Sequence, residues 1–288
     1  MERTLTTSWA QVQALVDSAL AEDMAFDDVT TRALIPNDIE GKASIVVKED
    51  GVLAGGEVAR TVFLHVDPSL QVATLAQDGQ VVKKGDVVAT IEGRVASILR
   101  AERTALNFLC HLSGIATATA HYSEAVGGLK ARISDTRKTA PGIRLLEKYA
   151  VHVGGGRSYR LHLGDGILIK DNHLAALRPR GIGLKEAIAR ARQNSDLRVE
   201  VEVGSIEEAR EALDAGADII MLDNMSIEDM REVVNMASGR ALIEASGSID
   251  LGNVRSVAET GVDIISTGAI THSAKALDLS LDIEVPSA

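Results

Sequence analysis

Four cations, Arg137, Lys138, Arg160 and Lys170, and two acids, Glu202 and Asp223, stand beside short apolar runs in this sequence. Between Arg137 and Lys170 there are seven Lys/Arg against two acids, Glu147 and Asp165, in a chain whose formal net charge is −11. A nucleic-acid surface would make a whole domain basic. A local positive excess in an acidic chain instead predicts a pocket for a small polyanion carrying carboxylates, phosphates or both. Arg supplies a planar fork that matches a carboxylate, and Lys a compact charge suited to phosphate or carboxylate. Arg137 and Lys170 adjoin apolar runs and are read as ligand contacts, whereas Arg144 and Lys148 are read as lying on an exposed helix. Arg160 and His162 would point to one side if their segment is extended. Glu202 and Asp223 suit ribose hydroxyl contacts, a bound Mg²⁺, or stabilisation of positive charge developing on a sugar. Small residues at Ser246-Gly247 and Thr267-Gly268 let backbone N–H groups approach a phosphate closely. The chain has neither a GxGxxG nor a P-loop, and its seven His are scattered without zinc-ligand spacing.

Something must bring these groups together. Six short β-rich runs, ARIS, GILIK, RVEVEV, DIIMLD, ALIEAS and DIIST, follow Gly128, and helical patterns at 184–192, 206–215, 227–236 and 251–260 separate the later ones. Glu202, Asp223, Glu244 and Thr267 recur at intervals of about one βα unit, each read as a polar residue closing a strand. That regularity predicts a β/α barrel with its reacting groups at the strand C-termini, rather than an open sheet with one switch point. Before the barrel, 42–91 reads as a small β-containing domain, and 97–126 as a long helix kinked near Ser113-Gly114. Ser8 is read as the N-cap of an amphipathic helix carrying Trp9, Val12, Leu15, Val16, Ala19 and Leu20.

Composition narrows the class. With 288 residues, 45% of them apolar, the chain can bury a large core, and with 2% aromatic it lacks base-stacking platforms. The lone Cys110 excludes an intrachain disulfide and is read as a buried reduced thiol. No apolar run is long enough to span a bilayer and no signal peptide is evident, so a cytoplasmic protein is expected.

The motifs DTRKT-PG, KYAV, GGG, LIKDNH, EVEV, MLDN, EASG and TGAITHS, with DDVTT and ERTALNFLCHLSGIAT before them, closely resemble the quinolinate phosphoribosyltransferases, over nearly the whole chain. The resemblance implies an N-terminal α/β sandwich domain (1–112, with the tail 273–288 packing back on it). It implies a second domain (113–272) that is an incomplete, seven-stranded TIM-like α/β barrel. It also implies the reaction of quinolinate with phosphoribosyl pyrophosphate, requiring Mg²⁺, to give nicotinate mononucleotide, pyrophosphate and CO₂ in NAD biosynthesis. Arg137, Arg160 and Lys170 would then hold the two quinolinate carboxylates, and Lys138 would bind phosphoribosyl pyrophosphate. Glu202 and Asp223 match the acids near ribose and metal, while Ser246, Gly247, Gly268 and His272 match the 5′-phosphate region. Arg103 matches an arginine delivered across the interface of a homodimer, or of an assembly of dimers.

One departure stands in the quinolinate pocket. The family's GGG-x-Asn-His-Arg reads Gly154-Gly155-Gly156-Arg157-Ser158-Tyr159-Arg160, so Tyr159 replaces a His that can carry charge. His162 or Arg157 is expected to restore part of that contact. Three other readings remain: a same-fold paralogue acting on nicotinate or associated with molybdenum transport, a barrel aldolase with Lys170 or Lys138 as Schiff base, and a non-catalytic ligand sensor.

Overall fold

The computed structural model describes residues 9–285, and the chain divides into two compact units. One comprises the chain up to Ala120, Thr139–Gly155, and the chain from Ser273; the other comprises His121–Lys138 and Gly156–His272.

In the first unit a helix spans Trp9–Glu22 and buries Val12, Val16 and Leu20, three of the six apolar residues expected on its inner face, while Trp9 is exposed. Ser8, read as its cap, lies outside the described residues. Strands β1 (Glu40–Val47), β2 (Gly51–Val52), β3 (Gln71–Thr74), β4 (Val81–Val82) and β5 (Val87–Arg94) follow. β5 pairs antiparallel with β1 and β3, and the late segment Leu279–Glu284 pairs along the other side of β1, making a four-stranded sheet. Alternation in β1 sends Ala43, Ile45 and Val47 into the core. The Asp78 carboxylate accepts from the N–H groups of Gly55 and Gly56 at the start of helix Gly56–Val66, and the Tyr149 hydroxyl donates to it at 2.6 Å.

Three expectations are corrected in this unit. The long helix runs unbroken over Val95–Ala125, with no interruption at Ser113-Gly114. Gly114 serves close approach instead, since a Cβ there would lie 2.2 Å from the Lys275 carbonyl oxygen. Lys148 does not face water: helix Arg144–Val153 buries Leu146, Glu147, Lys148, Ala150 and Val151, and Lys148 is fully buried. Positions 147, 148 and 151 share one helical face, so the charges that suggested a polar face belong to the core face. Cys110 is half-buried, and burial pushes its thiol pKa up. Among the described residues no helix is long and apolar enough to cross a membrane.

The second unit contains β6 (Arg132–Ser134), β7 (Ile167–Ile169), β8 (Val199–Val203), β9 (Ile219–Asp223), β10 (Leu242–Ser246) and β11 (Ile264–Ser266), one for each run identified in the sequence. They form one parallel sheet in the order β6-β11-β10-β9-β8-β7. Helices Leu184–Asn194, Ile206–Asp214, Ile227–Ala237 and Val254–Ala258 alternate with the later strands, as the right-handed βα connection requires. Ser205 and Ser226 cap two of these helices by accepting from Glu208 N and Asp229 N, and acids fill both first turns, where they complement the helix dipole. β6 and β7 are the edges, which leaves the barrel incomplete. At the β6 edge Arg157 makes an isolated parallel bridge to Ser134, so the expected seventh strand is reduced to a single residue.

Candidate active site

Strand alternation selects the side chains of the site. In β8, Val199, Val201 and Val203 are buried on one face, leaving Glu200 and Glu202 on the other. Ile169 pairs with Val201, which sets Lys170 opposite Glu202, and Lys170 Nζ donates to Glu202 Oε2. In β9, Asp223 is the last residue, level with Ser246 of β10. Asp223 thus ends β9, whereas Glu202 lies one residue short of the end of β8, before Val203, and not at its close as the spacing predicted; its pairing with Met221 still puts the two acids on one face. Glu244 does not close its strand, as the spacing predicted; β10 runs on to Ser246, and Glu244 is buried two residues earlier.

The cations crowd one another. Burial holds the Arg160 guanidinium below its ordinary pKa, and the nearby Arg137 adds repulsion that Glu200 and Asp165 oppose. Arg160 Nε is buried without a hydrogen-bond partner, and so is Glu200 Oε1. Burial pushes Glu200 up to about 7, with Arg160 and Lys170 pulling it back. Glu244 is pushed up to about 8 by burial and then by Glu200, with Asp135 adding to the repulsion and Ser266 and Lys170 opposing it. A partly buried guanidinium beside a second one, with its buried Nε donor unused, is an unfavourable arrangement that an anion would relieve.

Tyr159 is exposed at 42%; partial desolvation of its ring still raises its phenol pKa, and Arg157, which hydrogen-bonds it, pulls the other way. His162 is not beside Arg160 in an extended segment. The segment folds into a turn in which Asp165 accepts from the N–H groups of Leu161 and His162, and His162 Nε2 lies 3.3 Å from Asp165 Oδ1. Of the two residues expected to compensate for Tyr159, only Arg157 therefore touches it.

The loops after β10 and β11 are tight. Gly247 has φ 86°, and a Cβ on it would lie 2.5 Å from the Asn224 carboxamide. A Cβ on Gly268 would meet the His272 ring at 2.8 Å and Lys138 Cδ at 3.1 Å. Lys138 is held there through its carbonyl, which accepts the Thr271 hydroxyl at 2.8 Å. Lys138, Gly268 and His272 thus meet in one place, with Ser246 and Gly247 on the adjacent loop. Arg103 lies in the other unit, exposed on the long helix.

Asp135, Ser158, Glu200 and Asn224 were not singled out from the sequence. Glu200 had a readable signal, because it precedes Glu202 by two in a strand and must share its face. Asn224 follows Asp223 directly at a strand end, where a residue with φ 53° begins the turn. Ser158 offered none, since its partner Asp135 is distant in sequence.

A Mg²⁺ usually takes one or two protein carboxylates and completes its octahedron with water and substrate phosphate oxygens. Glu202 and Asp223 fit that pattern as a pair of hard oxygen donors. No group of three or more His, Cys, Asp or Glu side chains that could hold a metal ion occurs among the described residues.

Residues 28–113 match the family model described as quinolinate phosphoribosyl transferase, N-terminal domain, and residues 115–282 match its C-terminal domain. The chain is 43% identical to the quinolinate phosphoribosyltransferase [decarboxylating] 2b of Nicotiana tabacum, covering 92% of this chain and 80% of that protein. It is 41% identical to the probable nicotinate-nucleotide pyrophosphorylase [carboxylating] of Synechocystis, covering 97% and 95%. Among solved structures, the nicotinate-nucleotide pyrophosphorylase of Francisella tularensis superposes with a TM-score of 0.93 at 40% identity, covering 99% of this chain and 100% of that one. NadC of Streptococcus pyogenes gives 0.92 at 43% identity, covering 98% and 99%. With both domains matched and relatives this similar over nearly its full length, the chain belongs to the quinolinate phosphoribosyltransferase family.

Proposed function

We propose that this chain is a carboxylating nicotinate-nucleotide pyrophosphorylase, a pentosyltransferase that joins quinolinate to phosphoribosyl pyrophosphate and releases pyrophosphate and CO₂ to give nicotinate mononucleotide for NAD synthesis. The observation that carries the reading is the pair Arg137 and Arg160, crowded together with a buried, unpartnered Arg160 Nε. A rigid dicarboxylate supplies two anionic groups at once, which is what two adjacent guanidiniums and Lys170 require. The names of the relatives point to the same substrate.

Attack of the pyridine nitrogen on C1′ needs alignment more than activation. Arg137, Arg160 and Lys170 provide it by fixing both carboxylates. As the bond from C1′ to pyrophosphate breaks, positive charge grows on the ribose and negative charge on the leaving group. Glu202 and Asp223 face the first, and Lys138 faces the second. Gly247, Gly268 and His272 leave room for the 5′-phosphate. A Mg²⁺ held by Glu202 and Asp223 would neutralise pyrophosphate charge. Once glycosylated, the cationic ring nitrogen stabilises the electron pair that stays on the adjacent ring carbon as its carboxylate leaves as CO₂, and that carbon then takes a proton from water, so no covalent enzyme intermediate is needed. We also read the enzyme as a cytoplasmic homodimer, with the exposed Arg103 available to a neighbouring site.

The Schiff-base alternative is weakened because Lys170 is engaged by Glu202 rather than presented as a free amine. Incubation with quinolinate, phosphoribosyl pyrophosphate and Mg²⁺ should yield nicotinate mononucleotide, pyrophosphate and CO₂ in equal amounts. Binding of both substrates without turnover would instead make the chain a sensor.

A further inference from the structure

Asp135 directly follows β6 and is 6% exposed. Its carboxylate accepts the Ser158 hydroxyl. Its N–H donates to the Arg157 carbonyl at 3.1 Å, and the Arg157 N–H donates to the Ile133 carbonyl at 2.9 Å. Two residues beyond Asp135 stands Arg137, and two residues beyond Ser158 stands Arg160. Segments 135–143 and 158–166 contain neither strand nor helix, so the bridge at Arg157 and the Asp135–Ser158 bond fasten together two irregular segments that each carry one arginine.

The backbone bridge does not require an acid at 135. A small apolar residue would leave both main-chain bonds intact and would avoid burying a carboxylate, which is costly unless it is hydrogen-bonded. Asp135 also adds to the repulsion felt by Glu244. An acid here gives the Ser158 hydroxyl a buried acceptor across the two segments. Arg137 and Arg160 repel each other, and a segment bridged at one residue would let Arg160 swing away.

We propose that Asp135 and Ser158 form a clasp that sets the separation of Arg137 and Arg160, making them positioning residues for selection of a vicinal dicarboxylate over a monocarboxylate. This rests on the proposed role of those two arginines. One carboxylate needs only one guanidinium and tolerates a change in spacing. Two carboxylates fixed on adjacent ring carbons need both guanidiniums at one separation, so losing the clasp costs affinity for the second kind of ligand alone.

Ser158→Ala and Ser158→Thr in the full chain test this, with Asp135→Asn as a variant that keeps an acceptor for the hydroxyl. The readouts are the KM for each substrate and inhibition by phthalate, a ring dicarboxylate, and benzoate, its monocarboxylate counterpart. Ser158→Ala should raise the quinolinate KM and the phthalate inhibition constant roughly tenfold, leaving benzoate and the phosphoribosyl pyrophosphate KM within about twofold. Ser158→Thr and Asp135→Asn should restore most of the loss. If phthalate and benzoate weaken together, or Ser158→Ala changes neither, the clasp is refuted while the proposed function stands. If the unmodified protein binds neither quinolinate nor phthalate, the proposed function falls and takes the clasp with it.

Discussion

Replacing Glu244 by Gln should stabilise the protein at alkaline pH, and the structure gives both sign and size. Glu244 is 5% exposed, and its pKa is pushed from 4.5 to about 8 by burial and by Glu200. Below pH 4.5 the folded and unfolded chains both hold the proton. Between that value and about 8 only the folded chain holds it, so stability falls as pH rises through this window. At ~1.4 kcal/mol per pH unit, the loss from about pH 5 to about pH 8 is roughly 4 kcal/mol. Gln keeps the shape but carries no proton to lose. Urea unfolding of the two proteins at several pH values measures the difference directly. The variant should lack that portion of the alkaline decline, so the two stability curves diverge with rising pH. Parallel curves would show that Glu244 is ionised in the folded state across the range, and the account of a protonated barrel interior would fail.

Three further outcomes follow from the site. Gly268→Ala places a methyl group 2.8 Å from the His272 ring and 3.1 Å from Lys138 Cδ, and initial-rate kinetics should show the KM for phosphoribosyl pyrophosphate raised about tenfold, with that for quinolinate little changed. His162→Ala should leave the quinolinate KM within about twofold, because the ring is turned back to Asp165, whereas Arg160→Ala should cost at least ~30-fold in kcat/KM, the scale of losing one partner of a buried charged pair. Chelation of divalent cations should abolish turnover, and titrating Mg²⁺ back should reveal at least a ~10-fold weaker requirement-limited affinity in Asp223→Asn than in the parent, since even outer-shell partners of a metal matter on that scale.

Much of the barrel was legible because parallel strands buried by helices read as apolar, β-branched runs, and each of the six runs is a strand. The pairing of Lys170 with Glu202 follows from register and alternation, which are local properties once the strands are known. What could not be read depends on partners distant in sequence. Gly114 looks like a helix breaker until Lys275 is seen against it. Lys148 looks solvent-facing until the helix is seen to bury it together with Glu147, whose Oε1 lies 2.8 Å from His111 Nε2 and whose other oxygen accepts from Ala140 N. His162 looked available because an extended segment was assumed, and the Asp165 carboxylate that curls it is visible in the sequence only as one more acid. Glu244 shared the interval of the strand-closing residues, but β10 is long enough to carry it into the interior.

The most direct test of the central claim is a competition in which quinolinate radiolabelled in its 2-carboxyl group and unlabelled nicotinate are offered together with phosphoribosyl pyrophosphate and Mg²⁺. A carboxylating pyrophosphorylase should release radiolabelled CO₂ in step with nicotinate mononucleotide and give no product from nicotinate alone. Nicotinate mononucleotide formed from nicotinate, with the label retained in quinolinate, would contradict that claim.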